Sequence, residues 1–279
     1  MEQSVRFLVS SDLHGRTSAF ANFAYLLKSD AFDAGIIAGD LLDDGVPDEE
    51  LASVFEQTDL TPDDFLPELP FHDETTCEYP DRQLGKLHTP DDPYVRANQY
   101  KQDSVRELLC SAAKPIYVIC GNHDQTLWAD GGCIVNIHER RVDVGSVNLV
   151  GYRWIQLERG ESDRARDARA LQGLIDSSTI LVTHEPPYGI LDEAAEENLF
   201  EDSIPTANVL YGSRLLLDLV RETVPRLHVF GRVHSQFGVQ GRFINAAYPR
   251  RRAFLGLDAC SSEVTIIDEA PVERARLSW

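Results

Sequence analysis

The sequence predicts an α/β fold, and three observations lead there. Short apolar runs recur along the 279 residues, each about the length of a buried strand. Amphipathic stretches with helical spacing lie between them. Five of the runs also stop at Asp, Asn or His, which is where open α/β sheets place their sites.

The first run, Val5 to Ser11, leads into Asp12-Leu13-His14-Gly15. In an extended chain, residues two apart project to the same face. Asp12 and His14 are therefore expected to present an oxygen and a nitrogen to one point, a donor pair that suits Mn, Fe or Zn. Arg16 to Asp30 has helical spacing, with Phe20, Phe23, Ala24 and Leu27 on one face and Thr17 or Ser18 as the cap. Ala34 to Ala38 is a second run and stops at Gly39-Asp40. Strand, helix and strand in so short a span make a βαβ unit, hence parallel pairing and a right-handed crossover.

From Gly45 to Pro93 the periodicity dissolves. Seven of the fourteen prolines lie here among acidic residues, and only Ala52 to Gln57 reads as a short helix. Residues of about 45–93 are thus expected to be an insertion rather than a connection. Val95 to Ala113 is helical again, with Val105, Leu108, Leu109 and Ala112 inward. Pro115 to Cys120 is a third strand and runs into Gly121-Asn122-His123-Asp124, where Asp124 has the type of a helix cap. Val142 to Val144 and Val147 to Tyr152 flank Gly145-Ser146, a hairpin signal. Ser162 to Ser177 has helical spacing, and Ile180 to Thr183 is a fourth strand ending at His184-Glu185-Pro186-Pro187. An acidic loop follows at about 189–206. Ser213 then caps a helix to Glu222, and Leu227 to Phe230 is a fifth strand ending at Gly231-Arg232-Val233-His234. Phe237 to Val239 and Phe243 to Asn245 form a hairpin, and Val264 to Ile267 a late strand.

The formal net charge of −20 is unevenly placed. Asp43 to Asp92 holds sixteen acids against Arg82 and Lys86, and Asp192 to Asp202 holds six acids and no base. Those segments carry the whole excess and read as solvated loops. The remaining chain is neutral, so a long nucleic acid is excluded as a partner, since phosphate contacts need clustered Lys and Arg. No apolar run is long enough to cross a membrane. The N-terminus enters a strand at once and leaves no room for a signal peptide. Five cysteines, Cys77, Cys110, Cys120, Cys133 and Cys260, are odd in number and lack C-x-x-C spacing. Reduced thiols and a cytoplasmic location are therefore expected.

Taken in order, the motifs at the strand ends resemble the signature of the calcineurin-like metallophosphoesterases. They are Asp12-Leu13-His14, Gly39-Asp40, Gly121-Asn122-His123-Asp124, Thr183-His184 and Gly231-Arg232-Val233-His234. The resemblance spans about residues 5–247. Its second half is most similar to the animal metallophosphoesterase-domain-containing branch, itself similar to bacterial class III cyclic-nucleotide phosphodiesterases. The implied fold is one domain over 1–279, a four-layer α/β/β/α sandwich of two mixed sheets flanked by helices. The resemblance implies Asp12, His14, Asp40 and His234 as ligands of a first metal. Asp40 would bridge to a second metal, held also by Asn122 and His184. His123 is implied as general acid, and Asp43 as the acid that holds it.

The implied cofactor is a divalent metal, Mn ahead of Fe, Zn or Ni. The implied reaction is hydrolysis of a small phosphoester, phosphodiesters such as cyclic nucleotides first, by a hydroxide formed at the metal. A phosphomonoesterase or nucleotide pyrophosphatase is an alternative, as is a low-activity nucleotide- or metal-binding regulatory domain. The chain departs from the family at Arg232, where the pattern usually has a ligating His. Arginine stays protonated and offers no lone pair. The second site is accordingly expected to be weak or empty, with Arg232 gripping a phosphate oxygen through its fork. Of the other histidines, His72, His88 and His138 read as surface or structural, and His228 as a core residue.

Overall fold

A computed structural model describes residues 4–42, 93–124, 128–153, 168–195 and 208–268. The chain opens with β1 (Arg6–Ser10), α1 (Thr17–Leu27), β2 (Ala34–Ala38), α2 (Pro93–Cys110), β3 (Ile116–Ile119) and β4 (Ile134–Asn136). There follow β5 (Arg140–Val144), β6 (Val147–Tyr152), β7 (Thr179–Thr183), β8 (Glu193–Ala195), β9 (Asn208–Leu210) and α3 (Arg214–Thr223). The last described elements are β10 (Leu227–Phe230), β11 (Gly238–Gln240), β12 (Phe243–Asn245), α4 (Tyr248–Arg251), β13 (Ala253–Asp258) and β14 (Val264–Asp268).

Two six-stranded sheets result, ordered β14-β13-β1-β2-β3-β4 and β11-β12-β10-β7-β6-β5. The centre of each is parallel: β1 to β2 to β3 to β4, and β6 to β7 to β10 to β12. Antiparallel strands flank one side of the first sheet and both sides of the second. The expected βαβ unit is present, with Phe7 opposite Ala34. Both mixed sheets and their flanking helices match the fold expected.

Strand alternation explains the layers. Phe7 and Val9 point one way and meet Ile180, Val182 and Val229 of the other sheet in a dry interface. Leu8 points the opposite way, toward Phe20, Phe23 and Leu27 of α1 and Leu109 of α2. On the second sheet, Val150 and Leu181 turn outward to Leu216, Leu219 and Val220 of α3 and to Leu171. The order is therefore helix, sheet, sheet, helix.

Several local expectations are corrected. The cap of α1 is Arg16, whose side chain makes no capping bond, and Thr17 and Ser18 lie inside the helix. The Arg16 carbonyl instead accepts from the Ala19 and Phe20 amides. Helix α2 stops at Cys110, short of the expected Ala113, which takes a left-handed φ of 54°. Strand β13 is an element the periodicity does not predict; it pairs antiparallel with β1 across the sequence, and nothing local to it announces that partner. Ser213 does cap α3, accepting from the Leu216 amide at 3.2 Å. The Ala52 to Gln57 helix and most of the two acidic segments lie outside the described residues. So do His72 and His88.

The cysteine expectation is also corrected. Cys110 at the end of α2 and Cys133 before β4 form a disulfide, their Cα atoms 5.2 Å apart. A separation of 23 residues carries no motif, so only the docking of α2 against this loop reveals the pair. Cysteine content therefore no longer argues for a reducing compartment. Cys120, buried, and Cys260, exposed, take no part in a disulfide among the described residues, and Cys77 lies outside them. No described helix is long and apolar enough to cross a membrane.

His228 is fully buried in β10, as expected of a core residue. The Thr183 hydroxyl donates to the Glu185 carbonyl at 2.7 Å, so its oxygen is left to accept from His228 Nε2 at 2.7 Å. The ring is thus the neutral Nε2–H tautomer, and burial pushes its pKa down to about 3. An unfolded histidine takes a proton near pH 6.5, so between those values the unfolded chain binds the extra proton. Stability should fall as pH drops from 6.5 toward 3, by up to about 1.4 kcal/mol per pH unit from this one group. Urea midpoints of His228→Leu should vary less steeply with pH across that range than those of the unaltered chain. Separately, Cys110→Ser should lower unfolding free energy by about 3 kcal/mol, the loop-closure value for a bridge of this span. Denaturant melts with and without reductant check it: reductant should weaken only the unaltered chain.

Candidate metal centre

The centre lies where the carboxyl ends of the central strands of both sheets meet. From the first sheet come Asp12 and His14 after β1, Asp40 after β2, and Asn122 and His123 after β3. From the second come His184 after β7, and Arg232 and His234 after β10. Three overlapping groups, Asp12-His14-His234, His14-Asp40-His123 and Asp12-Asp40-His184, each place one ligand atom per residue within 4.8 Å of the others. Asn122 and Arg232 adjoin them. Asp43 lies outside the described residues.

The backbone reaches this geometry by leaving the extended region. Asp12, His14, Asp40 and Arg232 have φ of 58°, 48°, 50° and 65°. Asp12 and His14 therefore do not share a face through strand alternation, as the sequence suggested. A turn brings them together, at a cost of order 1–3 kcal/mol for each left-handed residue. The turn is braced from neighbouring strands: the Asp12 amide donates to the Gly39 carbonyl and the His14 amide to the Asp40 carbonyl, both at 3.0 Å. Across the sheets, the Arg232 amide donates to both oxygens of Asp12, at 3.1 and 3.0 Å.

Glycines permit the close approach. A Cβ on Gly39, itself at φ +94°, would sit 2.6 Å from His184 Nδ1 and 2.8 Å from Gly121 Cα. One on Gly121 would collide with the Asp40 carboxylate, and one on Gly231 with Ser11 and Asp12.

Among the described residues Asp124 caps no helix. It is buried, and its carboxylate accepts from the Gly121, Leu41 and Leu42 amides at 2.8, 3.2 and 2.9 Å. It thereby ties the loop carrying Asp40 to the loop carrying Asn122. Burial, together with the Asp40 charge, pushes its pKa up to about 6. The acidic loop is likewise structural at its start. Asp192 is buried and accepts from the Gly189 and Gly212 amides at 2.9 and 3.0 Å. The Glu193 carbonyl next to it accepts from Gln236 Nε2 at 2.7 Å, bracing the turn that bears His234.

The donor chemistry fits a divalent cation. His184 is fully buried, and its Nδ1 donates to the Ala38 carbonyl at 2.9 Å. That bond aims Nε2 at the Asp40 carboxylate, 3.2 Å away, and at Asn122 Oδ1, 2.9 Å away. The Nε2 atoms of His14 and His234 face each other at 3.2 Å, and His234 Nε2 is 3.3 Å from Asp12 Oδ1. Two imidazole nitrogens that share one ion at about 2.1 Å each lie roughly 3 Å apart. Burial would raise the Asp12 and Asp40 pKa values, but the surrounding imidazoles outweigh it and hold both below the usual carboxylate range. Burial would lower that of His184, but Asp40 and then Asp12 draw it up to about 9. A proton and a cation thus compete for one lone pair.

His123 stands at the rim. Its amide donates to Asp40 Oδ1 at 2.9 Å, and its Nε2 is 4.0 Å from Asp40 Oδ2. Arg232 is turned inward. Its Nη1 donates to Asn122 Oδ1, and its Nε is 3.8 Å from Oε1 of the buried Glu185.

Two facing sheets with a mixed nitrogen and oxygen cluster at their carboxyl ends define a candidate divalent-metal centre in an α/β fold. No family model matches the chain. A UPF0046 protein of Caenorhabditis elegans is 34% identical over 202 residues, 59% of this chain and 66% of that protein. Metallophosphoesterase domain-containing protein 1 of Homo sapiens is 27% identical over 255 residues, 87% of this chain and 65% of that protein. The chain thus matches a little under two thirds of the length of these relatives. Among solved structures, TT1561 of Thermus thermophilus superposes with a TM-score of 0.54 at 12% identity, covering 96% of this chain and all of that one. A dimetal phosphatase from Danio rerio does so with 0.51 at 9%, covering 95% and 99%. Those two likenesses concern the fold. The chain is thus similar in sequence to metallophosphoesterase domain-containing proteins and in fold to solved phosphoesterases.

Sequence patterns assign no role to Glu185, to the Asp124 tie or to the glycine cradle. Only the Gly-Asn-His-Asp run hints at one of them. Gly39→Ala should cost about 2–4 kcal/mol, because it combines a disfavoured φ with a collision against a buried ring. Chemical denaturation of the variant beside the unaltered chain measures that loss.

Proposed function

We propose that the chain is a divalent-metal-dependent phosphoesterase preferring small phosphodiesters. The observation that carries the reading is the convergence of Asp12, His14, Asp40, His184 and His234 on one buried cluster, drawn from both sheets. Asp12, His14, Asp40 and His234 would hold one ion, and Asp40, Asn122 and His184 flank the adjoining position. The mixed donor set suits Mn, with Fe, Zn and Ni as alternatives. A bound divalent ion supplies Lewis acidity, neutralising charge on phosphoryl oxygens and acidifying water.

The side chains do the rest. The fixed Nδ1 bond of His184 keeps its other nitrogen facing inward. His123, 38% exposed at the rim, holds a proton where a departing alkoxide would leave. General acid help of that kind contributes about 10²–10⁴-fold. It matters most where the leaving group is an alkoxide rather than a more stable aryloxide. Asp43, as the partner that orients His123, is part of the proposal. Arg232 offers a second cationic surface for phosphate oxygens. The net charge of −20 disfavours long polyanions, leaving small phosphoesters.

With Mn present, the purified chain should cleave an aryl phosphodiester faster than the matching monoester, and a chelator should abolish both rates. A faster monoester rate would shift the reading to a phosphomonoesterase. His123→Ala should retain bound Mn while losing about 10²-fold or more in kcat; metal content and steady-state rates measured together test this, and an unaltered kcat would remove His123 from the mechanism.

A further inference from the structure

Arg232 does not occupy a neutral place. The Asp40 carboxylate, Asn122 Oδ1 and His184 Nε2 converge at 2.9–3.2 Å, a donor set of the kind that holds a cation. Into this set the chain inserts its own cation, since Arg232 Nη1 donates to Asn122 Oδ1. The residue is pinned at its backbone: its φ is 65°, and its amide donates to both oxygens of Asp12. A left-handed backbone restricts where the side chain can start, and 17% exposure shows that the guanidinium is not turned to solvent. Behind it lies Glu185, only 1% exposed, with Oε1 3.8 Å from Arg232 Nε. A carboxylate buried this deeply is costly unless its charge is answered, and the Arg232 guanidinium is a cation placed to answer it.

We propose that Glu185 is a positioning residue that holds the Arg232 guanidinium in the half of the centre bounded by Asp40, Asn122 and His184. The chain thereby supplies a fixed side-chain cation there and takes a single divalent ion in the half formed by Asp12, His14 and His234. The inference rests on the metal-centre reading above and adds the count of ions and the residue that sets it. An arginine cannot be displaced by simple deprotonation, as a histidine or lysine could, because it keeps its proton. A second divalent ion would have to expel a guanidinium that is hydrogen-bonded on one side and charge-paired on the other.

The test titrates the full-length chain with Mn(II), reading bound metal by elemental analysis after desalting and spin coupling by electron paramagnetic resonance. The unaltered chain should retain one equivalent with an uncoupled spectrum. Arg232→His should take up two, with an exchange-coupled spectrum. Glu185→Gln should admit a second ion at raised Mn concentration while leaving the affinity of the first unchanged, an outcome that general destabilisation would not produce. If Glu185 acts only through Arg232, adding Glu185→Gln to Arg232→His should leave the two-ion behaviour unaltered. A coupled two-ion spectrum from the unaltered chain overturns the single-ion inference, and a Glu185→Gln chain that never takes a second ion overturns the role of Glu185. A chain that binds no Mn at all overturns the metal-centre reading on which both stand.

Discussion

The buried Asp40 carboxylate is the constraint to which the rest of the centre is fitted. Its two oxygens face His184 at 3.2 Å, His14 at 3.9 Å and the His123 amide at 2.9 Å. Its own carbonyl accepts from the His14 amide. One side chain thus joins the ends of β1, β2, β3 and β7, and so both sheets. A carboxylate with almost no exposure is costly unless its charge is answered. Here imidazoles on several sides answer it, and they do so strongly enough to reverse the effect of burial on its pKa.

That arrangement demands a distorted backbone. Asp12, His14, Asp40 and Arg232 all adopt left-handed φ values, and Gly39, Gly121 and Gly231 remove the side chains that would otherwise collide. The surrounding sheets over-determine these turns through cross-strand bonds, such as Ser11 N to the Ala246 carbonyl and Gly231 N to the His184 carbonyl. Asp124 adds three amide bonds from within the loops. Four of the ten left-handed non-glycine residues among those described fall at this one cluster, where rigid surroundings oppose their strain, as is common at functional sites.

Much of this is legible in the order of residues alone. The parallel strands Ala34–Ala38, Ile116–Ile119 and Leu227–Phe230 announce themselves as apolar runs, because a strand buried on both faces has no polar alternation. The polar residues that terminate them stand out for the same reason. Strand Ala253–Asp258 is not legible, since its assignment depends on pairing with β1 almost 250 positions away. The Cys110–Cys133 bridge is hidden likewise, as is the burial of Asp192, which composition groups with solvated acids.

The sequence by itself determined which residue types stand at the end of each strand, because periodicity and punctuation are local properties of the chain. It also determined that an arginine stands where a ligand would otherwise be. Only the tertiary structure decided where that arginine goes, since its direction depends on a left-handed backbone angle, on Asn122 from the other sheet and on Glu185 beneath it. These are distances between residues far apart in sequence, and no local pattern encodes them.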